Sequence, residues 1–168
     1  MSPFHKPVIL DNMCISNFYY ADSLRSILTL WPPGTFKIPL RVHNEASHWR
    51  KHGKEVCDVI RKLAENNIIE IVNIDDASDR EVGSYMQLRL AAPVLGAGES
   101  ESIAIAKSRK YIVATDDRLA TERCKDLFPS VEVITTADIL KMAKSDGLLK
   151  QSKINRMWKL IKSEESKR

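Results

Sequence analysis

The sequence predicts an α/β domain in which a central, mostly parallel sheet is covered by helices on both faces, with a basic helix at the C-terminus. Short apolar runs alternate with stretches of helical periodicity along most of the chain, and two of those runs end abruptly in aspartate. The 168 residues suffice for one domain with a real core and are too few for two of ordinary size.

Val8-Ile9-Leu10 reads as a buried strand with Asp11 at its exit. Residues 15–31 place Phe18, Leu24, Ile27, Leu28 and Trp31 at helical spacing, and Pro32-Pro33-Gly34 stops that helix. Residues 36–39 are expected to be a short strand, because the residue before a proline is driven towards extended backbone. A helix through Glu45 and Trp49 follows. Val56, Ile60 and Leu63 define an amphipathic helix that runs into Asn66-Asn67, and then a strand over 68–72. Residues 77–92 read as helix closed by Pro93, Gly96-Ala97-Gly98 as a turn, and 99–107 as helix. Ile112-Val113-Ala114 is a second apolar strand that leads to acid, at Asp116-Asp117. A helix over 118–125, a last strand over 131–134 and a helix over 137–144, stopped by Gly147, complete the alternation. In parallel sheets of this kind sites form at the carboxyl ends of strands, so two strands leading into aspartate place charge where function is expected.

Composition narrows the class. Hydrophobic residues are 43 % of the chain, and no apolar run approaches the roughly 18 residues that cross a bilayer. Met1-Ser2-Pro3-Phe4-His5-Lys6 lacks the apolar stretch and cleavage site of a secretory signal, so a cytoplasmic location is expected. Cys14, Cys57 and Cys124 lie far apart without a Cys-x-x-Cys pair, which suggests buried thiols and neither zinc nor a disulfide framework. The net charge of +4 is uneven: residues 141–168 hold nine Lys/Arg against three Asp/Glu, and the remainder 17 against 19. We divide the chain into a domain at 1–148 and a basic amphipathic tail at 149–168. In the tail Ile154, Met157, Trp158 and Ile161 form an apolar stripe, and Lys150, Lys153, Arg156, Lys159 and Lys162 surround it. The stripe is expected to dock on the domain or on a second subunit. The charge suits a polyanion such as RNA, or is simply a solvated helix face.

The candidate chemistry is carboxylate chemistry. Asp11 follows three apolar residues and must be solvated, paired or metal-bound to offset its desolvation, or else caps the next helix. Neighbours in extended backbone point oppositely, so one of Asp116 and Asp117 is expected to face a cleft while the other caps the helix at Arg118 or supports the site from behind. Glu99 and Glu101 open a helix, where a carboxylate is favoured by the helix dipole without any further role. Two apart, they do not share a face, and Glu99 is preferred. Glu45, among His43, Asn44 and His48, is weakest in isolation. His48 and His52, four apart, form with Glu45 a minor zinc alternative.

Four segments, taken together, resemble the PIN-domain family. Val8-Ile9-Leu10-Asp11-Asn12-Met13-Cys14-Ile15-Ser16-Asn17-Phe18 is similar to the family's opening strand, acid and helix. Ile38-Pro39-Leu40-Arg41-Val42-His43-Asn44-Glu45-Ala46 is similar to its second acid motif. Leu95-Gly96-Ala97-Gly98-Glu99-Ser100-Glu101-Ser102-Ile103-Ala104-Ile105-Ala106 resembles the pattern of a VapC-like ribonuclease toxin subgroup, and Tyr111-Ile112-Val113-Ala114-Thr115-Asp116-Asp117-Arg118-Leu119-Ala120 its last acid motif. Residues 136–148 resemble its closing helix.

The resemblance implies a three-layer αβα fold. It also implies that Asp11, Glu45, Glu99 and one of Asp116 and Asp117 converge on one or two Mg²⁺ or Mn²⁺ ions, with Asp117 carried as the catalytic member and Glu101 as the alternative to Glu99. Asn12 and Ser16 would support the site or touch phosphate. The implied activity is endoribonucleolytic, the implied partners a small antitoxin protein and a second copy of the chain, and Lys150, Lys153, Arg156 and Lys159 are candidate RNA contacts. A PIN-like module that binds without cutting and a stand-alone RNA-processing nuclease are the alternatives. Gly96-Ala97-Gly98 lacks the third glycine of a dinucleotide fingerprint, so no nucleotide cofactor is expected. Leu10-Asp11-Asn12-Met13 lacks the second aspartate of a haloacid-dehalogenase-type phosphatase.

Overall fold

Four parallel pairings place β1 (Val8–Leu10) at the centre of the sheet: β2 (Phe36–Pro39) lies on one side of it with β3 (Glu70–Val72) beyond, and β4 (Ile112–Ala114) on the other, with β5 (Val133–Ile134) outermost. The computed structural model describes residues 4–75 and 78–167. Among these the sheet is entirely parallel, in the order β3-β2-β1-β4-β5. The chain therefore works outwards from β1 through β2 to β3, then crosses back to β4. This reversal leaves the carboxyl ends of β1 and β4 flanking the switch point, where a crevice opens in sheets of this type.

The helices are α1 (Asn12–Tyr20), α2 (Leu24–Leu28), α3 (Leu40–Ser47), α4 (Gly53–Glu65), α5 (Asp79–Leu90), α6 (Ala97–Arg109), α7 (Arg118–Leu127), α8 (Thr136–Ser145) and α9 (Gln151–Glu165). Strand alternation divides the core in two. Val8, Leu10, Phe36, Ile38, Ile112 and Ala114 face one layer, with apolar side chains of α1, α2, α4, α8 and α9. Ile9, Val72 and Val113 face the other, with Leu88 of α5, Ile103 and Ile105 of α6, and Cys124 of α7. The fold is thus three-layered.

Several boundaries differ from the sequence reading. The helix expected over 15–31 is two, α1 and α2, because Asp22 adopts a left-handed φ of 52° that ends the first. The helix through Glu45 closes at Ser47, before Trp49, and His52, also left-handed at φ 65°, separates it from α4. His48 and His52 accordingly do not share a helix face. His48 Nδ1 lies 2.8 Å from the Asn44 carbonyl and His52 Nδ1 3.3 Å from Glu55, so the zinc alternative has no geometry behind it. Helix α6 begins at Ala97, inside the expected turn, and Gly96 is its cap. Part of the expected helix over 77–92 lies outside the described residues; the described part starts at Asp79, capped by Ser78. Cys14 and Cys124 are buried, whereas Cys57 is only half-buried.

Helix α9 packs on α1, and Ile154, Met157 and Ile161 are buried in the same core as β1 and β2. Its basic residues Lys153, Arg156 and Lys159 are exposed. No helix of the described residues is long and apolar enough to cross a membrane. Since Met157 is only 1 % exposed, Met157→Ala should cost about 2–5 kcal/mol of unfolding free energy in urea denaturation. A loss below 0.5 kcal/mol would show that α9 is not part of the cooperative core.

Candidate active site

Asp11 leaves β1 at the switch point, and its backbone N–H continues the ladder by donating to the Ala114 carbonyl at 3.1 Å. Its side chain caps α1, accepting from the Cys14 N–H at 3.0 Å, while the other carboxylate oxygen accepts from the Thr115 hydroxyl. Thr115 is the residue after β4, so one hydroxyl ties together the exits of the two central strands. The same Thr115 oxygen accepts the Asp117 N–H at 3.1 Å.

The two aspartates after Thr115 divide their work. Asp117 caps α7, accepting from the Ala120 N–H at 2.7 Å. Asp116 accepts from Asn17 Nδ2 at 2.7 Å, from the Thr136 N–H at 2.9 Å and from the Thr136 hydroxyl. Capping does not remove Asp117 from the site, because its charge acts on Glu99, just as that of Asp116 acts on Asp11. The expected division is visible in the caps: Asp117 begins α7, as one of the pair was expected to do, and Asp116 does not cap it, while the charges of both act on the neighbouring acids.

Glu45 is delivered by α3, which starts directly after β2. One of its oxygens accepts from Asn12 Nδ2 at 2.6 Å and the other from the Gly98 N–H at 3.1 Å. The glycine leaves room for this carboxylate: a Cβ at position 98 would lie 2.6 Å from Glu45 Oε2 and 3.1 Å from Val42 Cγ2, so the Glu45 side chain would have to shift. Gly96 plays the same part for Glu99, whose carboxylate folds back over it within 1.9 Å of where a Cβ would be. The Gly-Ala-Gly segment is thus where two carboxylates lie against bare backbone.

Glu99 and Glu101 separate as their spacing requires. Glu101, 4 % exposed, accepts from the Ile74 N–H at 3.2 Å and the Arg41 N–H at 3.3 Å, with the Arg41 guanidinium at 3.6 Å. It anchors the start of α3 and the exit of β3. Glu99 is half-buried and feels the charges of Asp117 and Glu45.

Electrostatics distinguish these groups. Among the described residues Asp11, Glu45, Glu99, Asp116 and Asp117 make no ion pair with Lys or Arg, whereas the buried Glu81 and Glu101 each have an arginine. Burial pushes the Asp11 carboxyl up to about 7; the Thr115 hydroxyl and Cys14 N–H oppose the rise, while the Asp116 and Glu99 charges add to it. Burial also raises Glu99; its own N–H and the charge of Arg89 oppose the rise, and the Asp117 and Glu45 charges add to it.

An all-oxygen donor set that carries several negative charges and no direct ion pair among the described residues fits a hard divalent cation. As the side chains stand, no three His, Cys, Asp or Glu of the described residues are close enough to share one ion. The two facts are compatible: charges couple over longer distances than ligation spans, and like charges tied to separate N–H and O–H donors stay apart unless a cation draws them together.

The family model described as a PIN domain matches residues 7–164. The chain belongs to the PIN-domain family. PIN domains are generally nucleases, hydrolases of phosphodiester bonds, and typically use divalent metals. No curated protein matches the chain.

The remaining expected residues fall in three places. Asn12 holds Glu45, and its Oδ1 is buried without a partner among the described residues. Ser16 is buried one turn further along α1. Lys153 and Arg156 line a hollow with Ala21, Asp22 and Ser23, at the far end of α1 from Asp11, so the structure does not bring them to the carboxylates. Sequence reasoning missed Thr115, Asn17 and Thr136 as donors to the acids. All three stand inside segments that carried the resemblance, Thr136 at the start of the closing helix α8, but nothing local marked any of them as a donor to a distant acid.

Because Asp11 keeps its proton in the folded chain at pH values where the unfolded chain has lost it, its contribution is fully present below about 4 and is lost as pH rises towards 7. Thermal melts in EDTA should therefore show stability falling across that window, by up to about 1.4 kcal/mol per pH unit from this group. Asp11→Asn should flatten the fall; an identical slope in the variant would refute the assignment. Gly98→Ala should destabilise by about 1–3 kcal/mol in the same assay, despite alanine's better helix propensity.

Proposed function

We propose that this PIN-domain protein is a metal-dependent endoribonuclease that hydrolyses RNA phosphodiester bonds, and that it is the toxin of a toxin–antitoxin pair. The observation that carries the nuclease reading is that Asp11, Asp116 and Asp117, after β1 and β4, and Glu45 and Glu99, from α3 and α6, act on one another's charge and among the described residues make no ion pair with Lys or Arg.

On this reading Asp11, Glu45, Glu99, Asp116 and Asp117 would hold one or two Mg²⁺ or Mn²⁺ ions. The ions would supply activation of water and stabilisation of charge on the leaving oxygen. The chain's own contribution is orientation. The Cys14 N–H and Thr115 hydroxyl fix Asp11, Asn12 and the Gly98 N–H fix Glu45, and Asn17 and Thr136 fix Asp116. Glu101, already paired with Arg41, is left as a structural anchor. The exposed Lys150, Lys153, Arg156 and Lys159 would attract RNA from outside the cleft. The toxin assignment, a small antitoxin protein that covers the acidic cleft and a homodimer rest on the VapC-like motifs alone.

One observation favours a second reading, a module that binds RNA without cutting it: no three of these acids approach closely enough to share an ion as they stand. The two readings part experimentally. Under the nuclease reading Mn²⁺ at about 100 times its dissociation constant should stabilise the fold by about 2.7 kcal/mol. Purified protein with Mn²⁺ should cleave a panel of structured and single-stranded RNAs, and Asp11→Asn, Glu45→Gln and Glu99→Gln should each lower kcat by at least about 100-fold, beyond the 10–100-fold typical of supporting residues. A melting temperature indifferent to millimolar Mn²⁺, with no cleavage, would leave binding alone.

A further inference from the structure

Beside the carboxylates runs a hollow of about 480 Å³ lined by Asn12, Met13, Ser16 and Tyr20 of α1 and by Trp49, Arg50 and Lys51 from the turn after α3. Its volume is within the roughly 300–1,000 Å³ of small-ligand sites. Asn12, Ser16 and Tyr20 recur every fourth residue, so they form one face of α1 and the hollow follows that helix for most of its length. It starts at the site itself, because Asn12 donates to Glu45 at 2.6 Å.

Its chemistry is aromatic and basic. Trp49 and Tyr20 are half-buried and both line the hollow; Trp49 also packs against the core, and the Tyr20 ring meets that of Tyr19 edge-on at 5.7 Å. Arg50 and Lys51 are exposed, and among the described residues neither is paired with a carboxylate. No acid lines the hollow, although acids crowd its inner end. Two rings with two free cations on the rim match single-stranded nucleic acid, whose bases stack on aromatic faces while its phosphates seek Lys and Arg. A stacked duplex cannot offer a base to the rings.

We infer that this hollow is the substrate subsite of the cleft: it takes an unstacked base of single-stranded RNA between Trp49 and Tyr20 and its flanking phosphates on Arg50 and Lys51. The inference rests on the nuclease reading for its biological meaning and is tested apart from it. In EDTA, where no metal-dependent cleavage occurs, fluorescence anisotropy of a labelled, uncleavable 2′-O-methyl oligoribonucleotide measures binding alone.

Trp49→Ala should weaken binding of the single strand about tenfold, with Trp49→Phe restoring most of it, and should leave binding of the matching duplex unchanged. Arg50→Glu with Lys51→Glu, on the exposed rim where folding is not at stake, should weaken the single strand and reduce the slope of log K against log salt by about one to two. Variants that bind the single strand as the unaltered protein does would overturn the subsite and give the hollow to another ligand, such as a peptide. Equal losses for strand and duplex would also overturn it, by reducing the hollow to a general charge effect. The nuclease reading fails separately, through absence of Mn²⁺-dependent cleavage by the unaltered protein.

Discussion

Everything at the site depends on holding like charges together in a place where water is scarce. Asp11, 1 % exposed, has neutral donors and no cation, and its neighbours Asp116 and Glu99 make its ionisation harder still. Burying carboxylates costs stability unless something compensates. Here the compensation is a ring of N–H and O–H donors that orient each acid but leave the charge in place. Such donors fix direction, and a divalent cation would remove the repulsion. That division explains why the acids are near enough to perturb one another and yet not collapsed on one point.

The architecture supplies this arrangement with few parts. The order β3-β2-β1-β4-β5 makes β1 and β4 neighbours although 101 residues separate the end of one from the start of the other. The Thr115 hydroxyl fastens the two exits, Asp117 and Asp11 both begin helices, and α3 and α6 meet closely enough at Gly98 for Glu45 to rest on its backbone. Acids that cap helices are also acids aimed at a common mouth, because parallel strands all deliver their following helices from the same edge. A structural role and a site role are therefore not alternatives for Asp11 or Asp117.

Paired acids behave differently. Glu81 is bound by Arg109, and Glu101 lies beside Arg41. Both are as buried as Asp11, but their charge is answered within the protein, and they join elements. Among the described residues, a direct ion pair with arginine is what separates these anchors from the candidates for metal or substrate.

By itself the sequence determined the strands β1, β2 and β4, the helices with clear apolar periodicity and the α/β class, because local hydrophobic pattern and turn chemistry act over a few residues. It also marked Asp11, Glu45, Glu99, Asp116 and Asp117, since acids at strand ends and in a familiar order are visible without coordinates. It did not reveal the break at Asp22, the donors Asn17 and Thr136, the use of Gly96 and Gly98 as seats for carboxylates, or the basic aromatic hollow along α1. Only tertiary structure decided these. A left-handed φ at a non-glycine, a hydrogen bond across 20 or 99 residues and a close approach of two helices are set by packing between distant segments, for which a linear chain carries no local signal.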